Sequence, residues 1–281
     1  MKITFPRTAP VQIVQVGAGG TGSYLSPKIH KKAFALKALN ERKVKISTID
    51  RDHVTPSNIA RQNFCPDDAD EMKTFEERNK ARILATRYGG VYGVESSYYA
   101  KFLVETKEDF KSTLSEEQIN SLSDEEIDEM IMCYEDFINI LLPETQKHMV
   151  ILIGCVDNKK ARQIMHKAFM DKRITDLIYI DAGNGEYTGQ VVCGVKKKGK
   201  VKFKPVGAIY PDTVEDDEAW VPELSCGQRV VSAPQTMEAN EMAATAITCF
   251  VNDILMLHSL ETRYATFSTT SINIRPVREV A

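Results

Sequence analysis

The sequence holds six cysteines in 281 residues, Cys65, Cys133, Cys155, Cys193, Cys226 and Cys249, and no two of them form a CxxC pair. That absence excludes the usual paired-cysteine zinc site, and the wide spacing in a chain of this length argues against a disulfide framework. No run approaches the roughly 18 apolar residues that would span a bilayer. The N-terminal MKITFPRTAP has no apolar stretch of the kind a secretory signal carries, so the expectation is a cytoplasmic chain with no membrane segment. A net charge of -3 leaves no global basic field for nucleic acid. The histidines, His30, His53, His148, His166 and His258, lack metal-ligand spacing. Internal repeats and low-complexity segments are also missing.

What is present suits one large α/β domain, read here as a single unit over 1–281 with a helical insert at about 105–146. The hydrophobic fraction of 43% and charged fraction of 27% are those of an ordinary globular chain. VQIVQV at 11–16, KVKISTID at 43–50, GVESSYYA at 93–100, MVILIGCVDN at 149–158 and LIYIDAGNG at 177–185 read as strands that end in polar or glycine-rich turns. Helices are expected from about 23 to 40, over 76–88 with Gly89 and Gly90 closing it, and over about 237–258. TGQVVCGV at 188–195 and KVKFKPVGAIY at 200–210 read as antiparallel strands, and a last strand is expected near 265–275. The alternation favours a mostly parallel, Rossmann-like mixed sheet with helices on both faces and antiparallel C-terminal strands. In such folds ligands bind at the carboxyl ends of the strands.

Gly17, Gly19 and Gly22 form G-x-G-x-x-G between a strand and a helix, and Gly20 lies within the same turn. Glycine permits a tight turn and close backbone approach to phosphate, and the helix N-terminus adds free N–H groups and a positive dipole end. Asp50 ends the second strand, where an acid can accept hydrogen bonds from a ribose. It lies 28 residues beyond Gly22, longer than the usual gap of about 20.

The segment after that strand is denser in polar groups than a nicotinamide dehydrogenase requires. It places Asp50, Asp52, Ser57, Asn58, Arg61 and Gln62 in one loop. Arg61 can brace phosphate oxygens bidentately, and Asn58 and Gln62 can donate neutral hydrogen bonds. Lys80 in ERNKARILA offers a point charge. Asp157 in GCVDN suits Mg²⁺, which binds through one carboxylate and several waters.

GAGGTGS at 17–23, DRDHVTPSNIARQ at 50–62, KA at 80–81 and DNKKAR at 157–162 stand in the order of the ThiF/MoeB/HesA motifs, and the chain resembles that family, which includes ubiquitin-activating enzymes. The resemblance covers about residues 11–62, 76–88 and 149–195. It implies ATP-dependent adenylation of the C-terminal carboxylate of a small ubiquitin-like or sulfur-carrier-like protein. Asp50 then resembles the ribose-binding acid, Asn58, Arg61 and Lys80 the catalytic phosphate-binding set, and Asp157 the Mg²⁺-binding acid. DAGNGEYTGQVVCG at 181–194 and PELSCGQ at 222–228 resemble the ThiF-related proteins of plasmid-borne PRTRC cassettes, which implies a conjugating-enzyme-like partner. A homodimer is implied by the family, and Cys226 is a candidate for a thioester step. Two departures stand beside the resemblance: the missing CxxC pairs, and an N-terminal stretch whose one arginine before the first strand is Arg7. Two other readings stay open, an NAD(P)-dependent Rossmann oxidoreductase and a non-catalytic nucleotide-binding scaffold.

Overall fold

The computed structural model describes residues 1–39, 42–142, 148–215 and 235–277. Its main sheet is built from β1 (Val11–Val16), β2 (Val44–Ile49), β3 (Glu95–Tyr99), β4 (Met149–Gly154), β5 (Leu177–Asn184), β6 (Thr188–Lys197), β7 (Lys200–Phe203), β8 (Tyr264–Ser268) and β9 (Asn273–Pro276). The order across the sheet is β9-β8-β6-β5-β4-β1-β2-β3, with β7 paired to β6. Strands β3, β2, β1, β4 and β5 run parallel, and from β5 onward every pairing is antiparallel. The larger helices are α1 (Gly20–Ala38), α2 (Lys80–Tyr92), α3 (Tyr134–Leu141), α4 (Lys159–Met170) and α5 (Met237–Leu255).

Both faces of β1, β2, β4 and β5 are covered, which is why those strands are mostly apolar, whereas the edge strand β3 is polar and partly exposed. Ile13, Ile46, Ile151, Ile153, Ile178 and Ile180 pack with Leu25, Ile29 and Leu36 of α1 and Ala243, Ile247 and Val251 of α5. Their alternating neighbours, Val14, Ile49, Leu152 and Tyr179 among them, pack with Phe137 and Leu141 of α3 and Met165 and Phe169 of α4. The period-two alternation of side chains along each strand divides the core between the two faces. Because β1 lies between β2 and β4, the strand order reverses beside it. Open α/β sheets bind ligands at such a topological switch point, here the carboxyl end of β1.

Three expected boundaries move. Gly89 and Gly90 lie inside α2, which ends instead at Gly93, a left-handed residue with φ +58°. Glycine reaches that conformation without the Cβ penalty of other residues, so the αL cap stops the helix there. The strand expected over 200–210 stops at Phe203, because Pro205 starts the short helix Val206–Ile209. The last strand is a hairpin, β8 and β9, whose register pairs Ser268 with Asn273. The acidic stretch forms three short helices, Lys107–Lys111, Glu116–Ser121 and Asp124–Met130, followed by α3. A two-stranded ribbon of Phe102–Leu103 with Ile131–Met132 ties the stretch at both ends. Ser115 and Ser123 cap the second and third helices through capping boxes, as the Ser-Asp-Glu-Glu motif at 123–126 requires. No helix among the described residues is long and apolar enough to cross a membrane.

Candidate active site

The glycine turn is fixed from below and from the side. Gln15, fully buried on β1, donates from Nε2 to the carbonyls of Gly17 at 2.9 Å and Gly22 at 3.1 Å. Gly17 has φ +95°, and a Cβ there would collide with the Cys155 carbonyl at the end of β4. The ends of β1 and β4 therefore meet through bare backbone, and only glycine fits. A Cβ at Gly22 would strike the Gly17 carbonyl in the same way. At Gly19 the nearest atom is Gln62 Nε2, 3.9 Å from an ideal Cβ, so this glycine faces open space beside Gln62.

Asp50 binds this turn directly. Its Oδ2 accepts from the Ala18 amide at 2.6 Å and its Oδ1 from the Asp52 amide at 2.8 Å. Burial and the like charge of Asp52 push the Asp50 carboxyl up to about 7, against the opposing pull of Lys80 and the two amides. Lys80 Nζ lies 3.2 Å from Asp52 Oδ2, and its side chain is only 7% exposed. Asn79 sets that lysine in place. Fully buried, it caps α2 by accepting from Arg82 N at 2.9 Å, and its Nδ2 faces the carbonyls of Asp50, Arg51 and Asp52 at 3.0 to 3.2 Å. One asparagine thus joins the start of α2 to the loop after β2.

The turn carrying Asn58, Arg61 and Gln62 docks on the first turns of α1. Asn58 is buried; its Oδ1 accepts from Thr55 N at 3.2 Å, and its carbonyl accepts from Arg61 N at 3.1 Å and Gln62 N at 2.9 Å. Ser57 is exposed and pairs with Thr55 on the outer side of the turn. Pro27 lies inside α1 and has no N–H for the Ser23 carbonyl four residues earlier. Asn63 Nδ2 donates to that carbonyl at 3.3 Å, while the Asn63 amide donates to Ser23 Oγ at 2.9 Å. Gln62 Oε1 is buried without a hydrogen-bond partner among the described residues. No partner among them engages the guanidinium of Arg61, which is half-buried.

Asp157 is exposed and directly precedes α4; the cap itself is Asn158, whose Oδ1 accepts from Ala161 N at 2.8 Å. The loop between β4 and α4 is held from the interior by Arg162. This residue pairs with Asp181 Oδ1 at 3.0 Å and donates to the Val156 carbonyl at 2.8 Å. Tyr179 donates to the other Asp181 oxygen at 2.8 Å. Burial raises the Asp181 carboxyl and Arg162 counters it. Among the described residues no three His, Cys, Asp or Glu side chains group as a metal site. One carboxylate, that of Asp157, suits the sparse protein ligation of Mg²⁺ and not a protein cage. Cys226 lies outside the described residues.

Besides Asn63, three groups were missed in the sequence. Asn79 is legible in hindsight as an Asn one residue before a helix. Arg162 and Asp181 belong to segments read for other reasons, and nothing local pairs them. Asn240 is fully buried in the first turn of α5, donating to the Arg61 carbonyl at 3.1 Å. Its signal is a polar residue on the same helical stripe as Ala243, Ala244 and Ile247.

No family model and no curated protein matches this sequence. Solved structures do match. Escherichia coli MccB aligns over 96% of this chain and 62% of its own, with TM-score 0.56 and 16% identity. MccB with ATP aligns over 96% and 64%, with TM-score 0.53 and 16% identity. PaaA aligns over 94% and 62%, with TM-score 0.52 and 14% identity. The chain thus spans a little under two thirds of the length of these neighbours. At such identity the likeness is one of fold: the chain has the mixed α/β, Rossmann-like fold of MccB and PaaA.

Proposed function

We propose that this chain is an ATP-dependent adenylyltransferase of the ThiF/MoeB/HesA kind, acting on the C-terminal carboxylate of a small protein or peptide. The observation that carries this reading is the placement of Lys80. A nearly buried ammonium sits 3.2 Å from Asp52, in the loop whose Asp50 binds the glycine turn at Ala18. A dinucleotide oxidoreductase uses the glycine turn and Asp50 but has no task for this lysine or for Arg61. Two of the fold neighbours add support: MccB has been solved with ATP and with MccA.

In the proposed reaction a carboxylate oxygen attacks the α-phosphorus of ATP. The bond from the α-phosphorus to the bridging oxygen of pyrophosphate breaks, pyrophosphate leaves with that electron pair, and an acyl-adenylate forms. The chain aligns two anions and offsets their repulsion. Asp50, ionised, accepts hydrogen bonds from the ribose. Lys80 and Arg61 face the phosphates, Asn58 and Gln62 offer amide groups, and the amides of the glycine turn beyond Ala18 supply dipoles. Asp157 would hold Mg²⁺, which when bound neutralises phosphate charge. A ubiquitin-like or sulfur-carrier-like substrate, transfer to Cys226, a conjugating-enzyme-like partner, a homodimer and the PRTRC subgroup are finer parts of the same proposal.

The test is ATP–pyrophosphate exchange with peptides ending in Gly-Gly as acceptors. The wild-type chain is expected to exchange, and Arg61→Ala or Asp157→Ala to lose about 10²-fold, the scale of removing one transition-state donor. Undiminished exchange in either variant removes the role given to that residue.

A further inference from the structure

We propose that Asn240 is a positioning residue for the nucleotide site, holding the Arg61 turn in register with the glycine turn; the inference rests on the adenylation reading above. Asn240 lies at the start of α5, 179 residues from Arg61 in sequence, and is fully buried. A buried amide is costly unless its donor and acceptor are both used. Here both are. Asn240 Nδ2 donates to the Arg61 carbonyl at 3.1 Å, and Asn240 Oδ1 accepts from Asn184 Nδ2 at 3.0 Å. Asn184, the last residue of β5, in turn accepts from Thr21 Oγ1 at 3.2 Å. The chain of bonds runs from the glycine turn through the end of β5 and the start of α5 to the backbone of Arg61.

Gly20 gives independent support. An ideal Cβ on Gly20 would lie 2.5 Å from Asn240 Oδ1 and 2.6 Å from its Nδ2. This glycine is therefore required by the asparagine beneath it, whereas Gly17 is required by Cys155. The start of α5 is itself anchored, because Thr236 Oγ1 donates to the Glu186 carbonyl at 2.9 Å and caps the helix through Ala239 N at 3.2 Å. Asn240 is thus a fixed point, and the backbone of the guanidinium-bearing residue is tied to it.

An ionised acid cannot substitute. Asn240→Asp keeps size and shape and still accepts from Asn184, but in its ionised form it sets a carboxylate oxygen against the Arg61 carbonyl with no proton between them. Because burial favours the protonated form, which could still donate, the titrations are run well above the ordinary carboxyl range. The turn then loses its tether and Arg61 its register. The experiment uses the full chain and Mg²⁺ with a nonhydrolysable ATP analogue, titrated by calorimetry in four proteins: wild type, Asn240→Asp, Arg61→Ala and the double variant. The expected result is about ten-fold weaker binding for Asn240→Asp in the wild-type background, the scale of one lost hydrogen bond to a positioned group. In the Arg61→Ala background the loss is expected to be under about two-fold, because the residue being positioned is gone.

An equal loss in both backgrounds means Asn240 acts on general packing, and unchanged affinity means it does nothing; either overturns the inference. If Asn240→Asp does not fold by circular dichroism, Asn184→Asp, which removes the donor to Asn240 Oδ1, is read by the same criteria. Wild-type protein that fails to bind the analogue sinks the adenylation reading itself. Wild-type binding with a silent Asn240→Asp sinks only the role of Asn240.

Discussion

Asn63 donates through its side-chain amide to the Ser23 carbonyl, the one carbonyl of α1 that Pro27 leaves without its donor four residues on. A proline inside a helix is normally a defect, since it removes a hydrogen bond and crowds the preceding turn. Here the freed acceptor anchors the turn that carries Arg61. Asn63 Nδ2 also lies 3.2 Å from Tyr88 OH on α2, so one side chain links α1, the Arg61 turn and α2. Asn63→Ala is expected to destabilise the protein by about 1–2 kcal/mol, measured by urea denaturation. Adding Pro27→Ala should restore part of that loss, because residue 27 then supplies the missing N–H. A double variant no more stable than Asn63→Ala would show that the Ser23 carbonyl is not the relevant partner.

Asp50 makes a pH prediction with a definite sign. Its carboxyl is pushed up to about 7 by burial and by Asp52, above the unfolded value of about 4. The folded state therefore holds the proton more tightly than the unfolded state. The stabilisation this gives is complete below about pH 4 and is lost as pH rises through about 7. The midpoint of urea unfolding should fall across that window, and Asp50→Asn should flatten the fall. Nucleotide binding runs the other way. In the proposed function ribose hydroxyls would donate to the ionised form, so Mg·ATP affinity should rise between about pH 6 and 8. Identical pH profiles for wild type and Asp50→Asn would show that another group titrates.

The buried Arg162–Asp181 pair should behave asymmetrically. Arg162→Ala leaves Asp181, 1% exposed, without its cation and is expected to cost about 3–5 kcal/mol. Replacing both by leucine should recover part of that loss, since two desolvated charges vanish together. Denaturant midpoints measure both. A small effect of the single change would mean that water or rearranged neighbours satisfy the acid.

The two ends of the glycine question in α2 are separable. Nothing lies within 4 Å of a Cβ added at Gly90, inside the helix, so Gly90→Ala should stabilise by about 0.5–1 kcal/mol. Gly93→Ala should destabilise by about 1 kcal/mol, because φ +58° disfavours a Cβ. Thermal melts of the two variants should move in opposite directions; shifts of the same sign would contradict the assigned helix end.

What the sequence makes legible is local. Alternation of apolar runs with polar turns marks the four inner parallel strands, because strands buried on both faces have little polar side. The edge strand β3, Glu95–Tyr99, is polar and is only weakly marked by the spacing of its β-branched and aromatic neighbours. The glycine turn, Asp50 and the 50–62 loop are visible because each is a short pattern with a backbone reason. The end of α2 was misplaced because helix periodicity continues through Gly89 and Gly90, and only backbone dihedrals reveal that Gly93 is the left-handed residue. The β8–β9 hairpin was read as one strand because its turn, Thr269–Ile272, holds no glycine, proline, asparagine or aspartate. The groups that align the site, Asn63, Asn79, Asn240 and the Arg162–Asp181 pair, are not legible as a set. They act through partners from about 20 to 180 residues away, and such pairings exist only once the sheet order is known. Asn58 and Ser57 share a motif, yet one is buried and serves its own turn while the other faces outward.

The most direct measurement follows the α-phosphate. The chain is incubated with Mg·ATP and peptides bearing a free C-terminal carboxylate, those ending in Gly-Gly included, and both nucleotide and peptide are weighed by mass spectrometry. The account predicts peptide carrying an added AMP moiety, with pyrophosphate released. Unmodified peptide with ATP converted to ADP would contradict it, because the attack would then fall on the γ-phosphate.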